Sequence, residues 1–139
     1  MRKILILVPV IFLASASCKK EKGCDITVAN ISGTYKVITA IYYEPGMPPV
    51  DLLENSDECA KDDLLVLYDN GNYETKDTGT PLVCNPDNDD AGNWSLNGNI
   101  LTIDGEAATI ESFDCEKLVY SGSPGYTPGD NSVVTIQKQ

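Results

Sequence analysis

From residue 33 onward, apolar and polar positions alternate in short runs separated by tight-turn residues. Residues 33–43 predict a long first strand, because β-branched and aromatic side chains dominate it. The strand period of two puts Tyr35, Val37, Thr39, Ile41 and Tyr43 on one face. The strand stops at Glu44-Pro45-Gly46-Met47-Pro48-Pro49, whose prolines lack the N–H a sheet ladder needs. Residues 51–58 predict a short, acidic turn of helix. Strands at 62–68 and 72–76 flank Asp69-Asn70-Gly71, and strands at 92–96 and 100–103 flank Asn97-Gly98-Asn99. Both turns carry the glycine that a tight hairpin uses for positive φ. Asp104-Gly105 leads to a strand at 106–112, and Asp114-Cys115-Glu116 to one at 117–121. A Gly/Pro-rich loop, 122–131, leads to the last strand at 132–138.

No amphipathic helical period interrupts this order. Eight short strands with tight turns between most of them predict an all-β antiparallel meander. Closure abolishes unpaired edges, so an eight-stranded up-and-down β-barrel is the expected architecture, with a two-sheet sandwich as the alternative.

The first 17 residues have a different pattern. Arg2-Lys3 precedes an apolar run from Ile4 to Ala14, and small residues follow up to Cys18. This is the make-up of an export signal, too short for a permanent span. Two cleavage products compete. One begins at a diacylglycerol-modified Cys18, although Ser15 stands where a lipobox usually has Leu; the other is cut after Ala14-Ser15-Ala16 and secreted. Five cysteines is an odd number, and lipidation of Cys18 leaves four to pair in an oxidising compartment. The expected organisation is a lipoprotein signal at 1–17, an anchor, tether and lead-in at 18–30, and the barrel at 31–139. The address this implies is the outer membrane of a cell envelope.

The meander also assigns the four remaining thiols. If the first strand starts at the bottom, Cys24 and Cys115 fall at the bottom, and Cys59 and Cys84 fall at the top. Any other pairing would cross a strand length of about 20 Å, whereas a disulfide joins Cα atoms no more than about 7 Å apart. The expected bridges are Cys24–Cys115 and Cys59–Cys84.

Charge narrows the partners. The chain carries a net −11, which becomes −13 once Arg2 and Lys3 leave with the signal. Nucleic acid, itself a polyanion, is excluded as a partner. Lys19-Lys20-Glu21-Lys22 is the local exception, beside the expected lipid, where it serves either as a solvated tether or as an attraction to anionic headgroups.

Ile31-Ser32-Gly33-Thr34-Tyr35 resembles the opening of a lipocalin first strand, with Tyr35 in place of the usual Trp. With Cys59, Lys61-Asp62-Asp63, Asp69-Asn70-Gly71-Asn72-Tyr73, Cys84, Gly92-Asn93-Trp94-Ser95-Leu96 and Asn99-Ile100-Leu101-Thr102-Ile103, the whole resembles the lipocalin-like domain of Gram-negative envelope lipoproteins. The resemblance implies an eight-stranded calycin-type barrel, a lipid anchor and the Cys59–Cys84 bridge. Cys24–Cys115 rests on the topology alone.

Catalytic chemistry finds little support. The chain has no histidine, the commonest general base and metal ligand. It has no G-x-S-x-G, no phosphate-binding loop and no dinucleotide fingerprint, so neither an enzyme nor a cofactor is expected. Asp87, Asp89 and Asp90 offer oxygens to Ca²⁺, but Ala91 occupies the position of a third ligand in a calcium loop. Tyr35, Val37, Tyr43, Tyr73 and Trp94 are the candidate pocket residues, with Met47 and Val50 as a lid. The competing expectation is a barrel filled by its own side chains. Two functions follow: non-catalytic binding of a small apolar or amphipathic ligand, or a filled module that meets an envelope protein through acidic loops at 57–63 and 87–90.

Overall fold

In a computed structural model of the chain, which describes residues 23–79 and 90–139, the tight turns fall where the backbone has to run left-handed. Gly71 (φ 85°) and Gly98 (φ 61°) close two hairpins, and Asp104 (φ 48°) with Gly105 (φ 86°) closes a third. Glycine takes such angles without a Cβ clash, and Asp is among the few other residues that tolerate them.

The strands between these turns are β1 (Gly33–Tyr43), β2 (Val50–Asp51), β3 (Leu64–Leu67), β4 (Asn72–Lys76), β5 (Ala91–Asn97), β6 (Ile100–Ile103), β7 (Glu106–Phe113), β8 (Lys117–Gly122) and β9 (Asn131–Lys138). Each pairs antiparallel with the next from β3 to β9. β1 then closes the sheet by pairing with β3 on one side and β9 on the other. The result is a closed eight-stranded up-and-down barrel, and the sandwich alternative falls. β2 is an extra two-residue strand that covers the upper half of β1, where Tyr42 pairs with Val50.

Two local expectations are corrected. The helical turn expected at 51–58 is instead β2 followed by turns. The helix, α2 (Glu58–Asp62), begins seven residues later than expected, with Asp57 at the N-cap position but making no side-chain capping bond. The lead-in also contains a helix, α1 (Val28–Ile31), whose N-cap Thr27 accepts a hydrogen bond from the Asn30 N–H at 3.2 Å.

A bulge in β1 changes which residues face inward. Val37 pairs with Ile136 and Thr39 with Thr135, so Ile38 is an extra residue. An extra residue in a period-two strand exchanges its faces. Tyr35 and Val37 point into the barrel, but beyond the bulge Ala40 and Tyr42 do so, while Thr39, Ile41 and Tyr43 face outward. The single inward face expected for the whole strand therefore holds only for its first half.

The barrel is filled at its lower end. Tyr35, Leu67, Trp94, Leu101, Phe113, Leu118 and Ile136 pack there, and α1 drives Ile31 into the opening as a plug. The Tyr35 hydroxyl donates to the Ile31 carbonyl at 2.5 Å, and the Lys138 ammonium donates to the Asn30 carbonyl at 2.5 Å. Cys24 pairs with Cys115 at the same end, Cα atoms 5.1 Å apart, as the meander predicts. The Cys24 N–H donates to the Phe113 carbonyl at 3.0 Å, which fixes the point where the chain enters the barrel. Cys59 is disulfide-bonded as well; Cys84, its expected partner, lies outside the described residues, as does Cys18.

Candidate functional site

Above the packed end, the inward positions become small. Register places Ala108, Gly122 and Ser132 on the inner face near the top of β7, β8 and β9. A cleft of about 390 Å³ opens there. Its floor is Leu101, Ile103 and the ring of Tyr120; its walls are Ala107, Ala108, Gly122 and Ser132. Asp104, Glu106, Ser123 and Pro124 form the rim, and Tyr73 closes one side. The barrel is packed below, and this cleft lies above the packed end.

The rim is held by side chains that fold back on the scaffold. The Tyr73 hydroxyl donates to the Asp104 carboxylate, with Asp90 Oδ2 3.2 Å away on its other side. Asp104 also accepts the Asn93 N–H at 3.0 Å. The Tyr73 bond, and then the Asn93 bond, hold the Asp104 carboxyl below its ordinary range. A Cβ on Gly92 would collide with that carboxylate, so glycine is what lets Asp104 reach across β5. The carboxylates beside Tyr73, together with its burial, push its hydroxyl well above the usual tyrosine value.

Asp130 organises the loop over the opposite side. It is 4 % exposed and accepts from the Ser123 hydroxyl, from the Tyr126 and Thr127 N–H groups at 2.8 and 3.0 Å, and from the Tyr42 hydroxyl at 3.4 Å. Ser123 first, and these N–H groups next, hold the Asp130 carboxyl low. The Tyr120 hydroxyl is different. Among the described residues it has no hydrogen-bond partner, and burial pushes it up to about 12.

Of the sequence-predicted pocket residues, Tyr73 alone lines the cleft. Tyr35, fully buried, belongs to the packed end, and Val37 packs against that core. Trp94, 4 % exposed, is also core; its indole N–H donates to the Tyr68 carbonyl at 2.8 Å and ties β5 to the first hairpin. Tyr43 faces solvent at 42 % exposure because of the Ile38 bulge. Met47 and Val50 are exposed and do not line the cleft; its lid is the 122–131 loop, through Ser123 and Pro124. Asp104, Glu106, Ala108, Tyr120 and Ser132 were missed. The period of two would have grouped Tyr120 and Gly122 with the buried Leu118.

Asp87 and Asp89 lie outside the described residues. Asp90, the third of the candidate calcium ligands, bonds Tyr73 and accepts the Ala91 N–H at 2.9 Å. Elsewhere, carboxylate oxygens of Asp62, Asp63 and Asp77 lie within 4.8 Å of one another, a donor set of the kind a divalent cation uses. Asp77 also accepts the Gly79 N–H at 2.7 Å.

A family model described as a lipocalin-like domain matches residues 31–120. No curated protein and no solved structure matches the chain.

Proposed function

The chain belongs to the lipocalin-like domain family, and from that premise we propose that it is a non-catalytic, lipid-anchored envelope protein that holds a small apolar or amphipathic ligand in the upper cleft. The observation that carries the reading is the contrast between the two ends of the barrel. Large side chains and the Ile31 plug fill the lower end, whereas alanine, glycine and serine leave about 390 Å³ at the upper end over an apolar floor. An apolar concavity open at the barrel mouth, with a few polar groups at its edge, is what a small-molecule site requires.

The anchor belongs to the same proposal. Lipidation of Cys18 leaves six residues before Cys24, a reach of at most about 21 Å. Cys24 is stapled at the closed end. The closed end would therefore face the membrane and the cleft would face away from it.

The test is a pair of masses on protein extracted gently from its own membrane. A ligand gives an excess mass in the native spectrum that vanishes on denaturation. Equal masses would remove the carrier reading. The denatured mass must also show diacylglycerol on Cys18; its absence would remove the anchor.

A second reading, an interaction module, draws on the carboxylates Asp57, Glu58, Asp62, Asp63 and Asp77 of the upper end, which among the described residues there are interspersed with Lys61 and Lys76. Capture of a protein partner there would weaken as salt rises. Capture indifferent to salt would count against it.

A further inference from the structure

The polar groups of the cleft are not neutral in what they ask of a ligand. Three of the four side-chain hydroxyls around it have already placed their protons. Tyr73 donates to Asp104, Ser123 donates to Asp130, and Ser132 donates to the Gly122 carbonyl at 3.0 Å. What these groups still offer is lone pairs. Two carboxylates, Asp104 and Glu106, stand at the rim, and register places Glu106 opposite Ile103 on the inner face of the barrel. No lysine or arginine lines the cleft among the described residues. Glu106 has no ion-pair or hydrogen-bond partner among them either. The Tyr120 hydroxyl is the one cleft hydroxyl without a partner among the described residues.

A carboxylate or phosphate ligand would bring its negative charge to within a few ångströms of two fixed negative charges, with one tyrosine hydroxyl as compensation. An ammonium group reverses each of those terms. It is attracted by the rim, and its N–H groups meet a set of acceptors. We propose that the cleft takes an amphipathic cation, an apolar body carrying a protonated amine, in preference to a fatty acid of equal length. The inference rests on the ligand-binding reading of the cleft and specifies the chemistry of its occupant.

Three probes with the same chain separate this inference from that reading: decylamine, decanol and decanoate, titrated calorimetrically into the full mature chain at low salt and below their micelle concentrations. Decylamine is expected to bind about tenfold or more tighter than decanoate, with decanol between them. Glu106→Gln, at an exposed rim position, should narrow that gap several-fold by weakening decylamine relative to decanoate. Glu116→Gln, in the turn at the closed end, should leave the gap intact. Decanoate binding as tightly as decylamine would overturn the inference while leaving the ligand site standing. A gap that Glu106→Gln does not alter, or that Glu116→Gln narrows equally, would overturn it too, because overall charge would then be the cause. If none of the three probes binds, the ligand-binding reading itself falls.

Discussion

The Tyr73 hydroxyl donates to the Asp104 carboxylate across β5, linking strand β4 to the turn between β6 and β7 at the barrel mouth. Removing that donor with Tyr73→Phe returns the Asp104 carboxyl toward its ordinary range and lowers Tm by a few degrees, as loss of a hydrogen bond to a charged group does. Gly92→Ala acts on the same contact from beneath, because its Cβ would displace the carboxylate. The double variant should cost clearly less than the sum of the singles, which thermal unfolding of all four proteins would measure. Additive costs would separate the two positions.

The Cys24–Cys115 bridge spans 91 residues. The chain-entropy estimate for such a loop is about 4.6 kcal/mol. A Cys24→Ser, Cys115→Ser variant should lose several kcal/mol in urea unfolding. Cys115 sits at φ 79°, where glycine is the residue without strain. Cys24→Ser, Cys115→Gly should therefore retain about 1 kcal/mol more than the double serine variant.

Ala108 lines the wall of the cleft and pairs with Leu101 on the inner face. Ala108→Leu fills that wall with apolar volume. Uptake of decanol should fall by about tenfold or more, with Tm held or raised, since cavity filling is a stabilising change. Unchanged uptake with an intact barrel would place the ligand elsewhere.

Stability should fall on both sides of neutrality. Asp104, Asp114 and Asp130 have carboxyls held low, chiefly by the Tyr73 hydroxyl, the Lys117 N–H and the Ser123 hydroxyl respectively. Folding thus favours their ionised forms. The stability they add is complete above the unfolded value near pH 4 and is lost as pH falls through the lower folded values. Burial raises Tyr35 and Tyr120, and carboxylate neighbours raise Tyr73. Their contribution is complete below about pH 10 and is lost as pH rises further. Denaturant midpoints at pH 3, 7 and 11 would show the plateau, and Asp130→Asn should flatten its acid side.

The strand order was legible because each turn writes its own signal. Gly71, Gly98 and Asp104-Gly105 need left-handed backbone, and the sequence supplies residues that take it. The Cys24–Cys115 pairing followed from counting those turns. The pocket was less legible, because period two carries a face assignment only while the ladder stays regular. Ile38, an ordinary strand residue by its chemistry, is the bulge that sends Tyr43 outward and brings Ala40 in. Aromatic side chains were the natural choice for a pocket, yet Tyr35 and Trp94 are the filling of the packed end.

Sequence by itself determined the elements, their antiparallel succession and the end of the barrel at which Cys24 and Cys115 meet, since these depend on local backbone preference and chain direction. Tertiary structure alone decided where the barrel is hollow. A cavity is a sum over inward positions contributed by several strands. Leu101, Ala108, Tyr120, Gly122 and Ser132 come from four different strands and line one cleft only when register closes the sheet. The same closure carries Asp104 to Tyr73, 31 residues away, and gives the cleft its acidic rim.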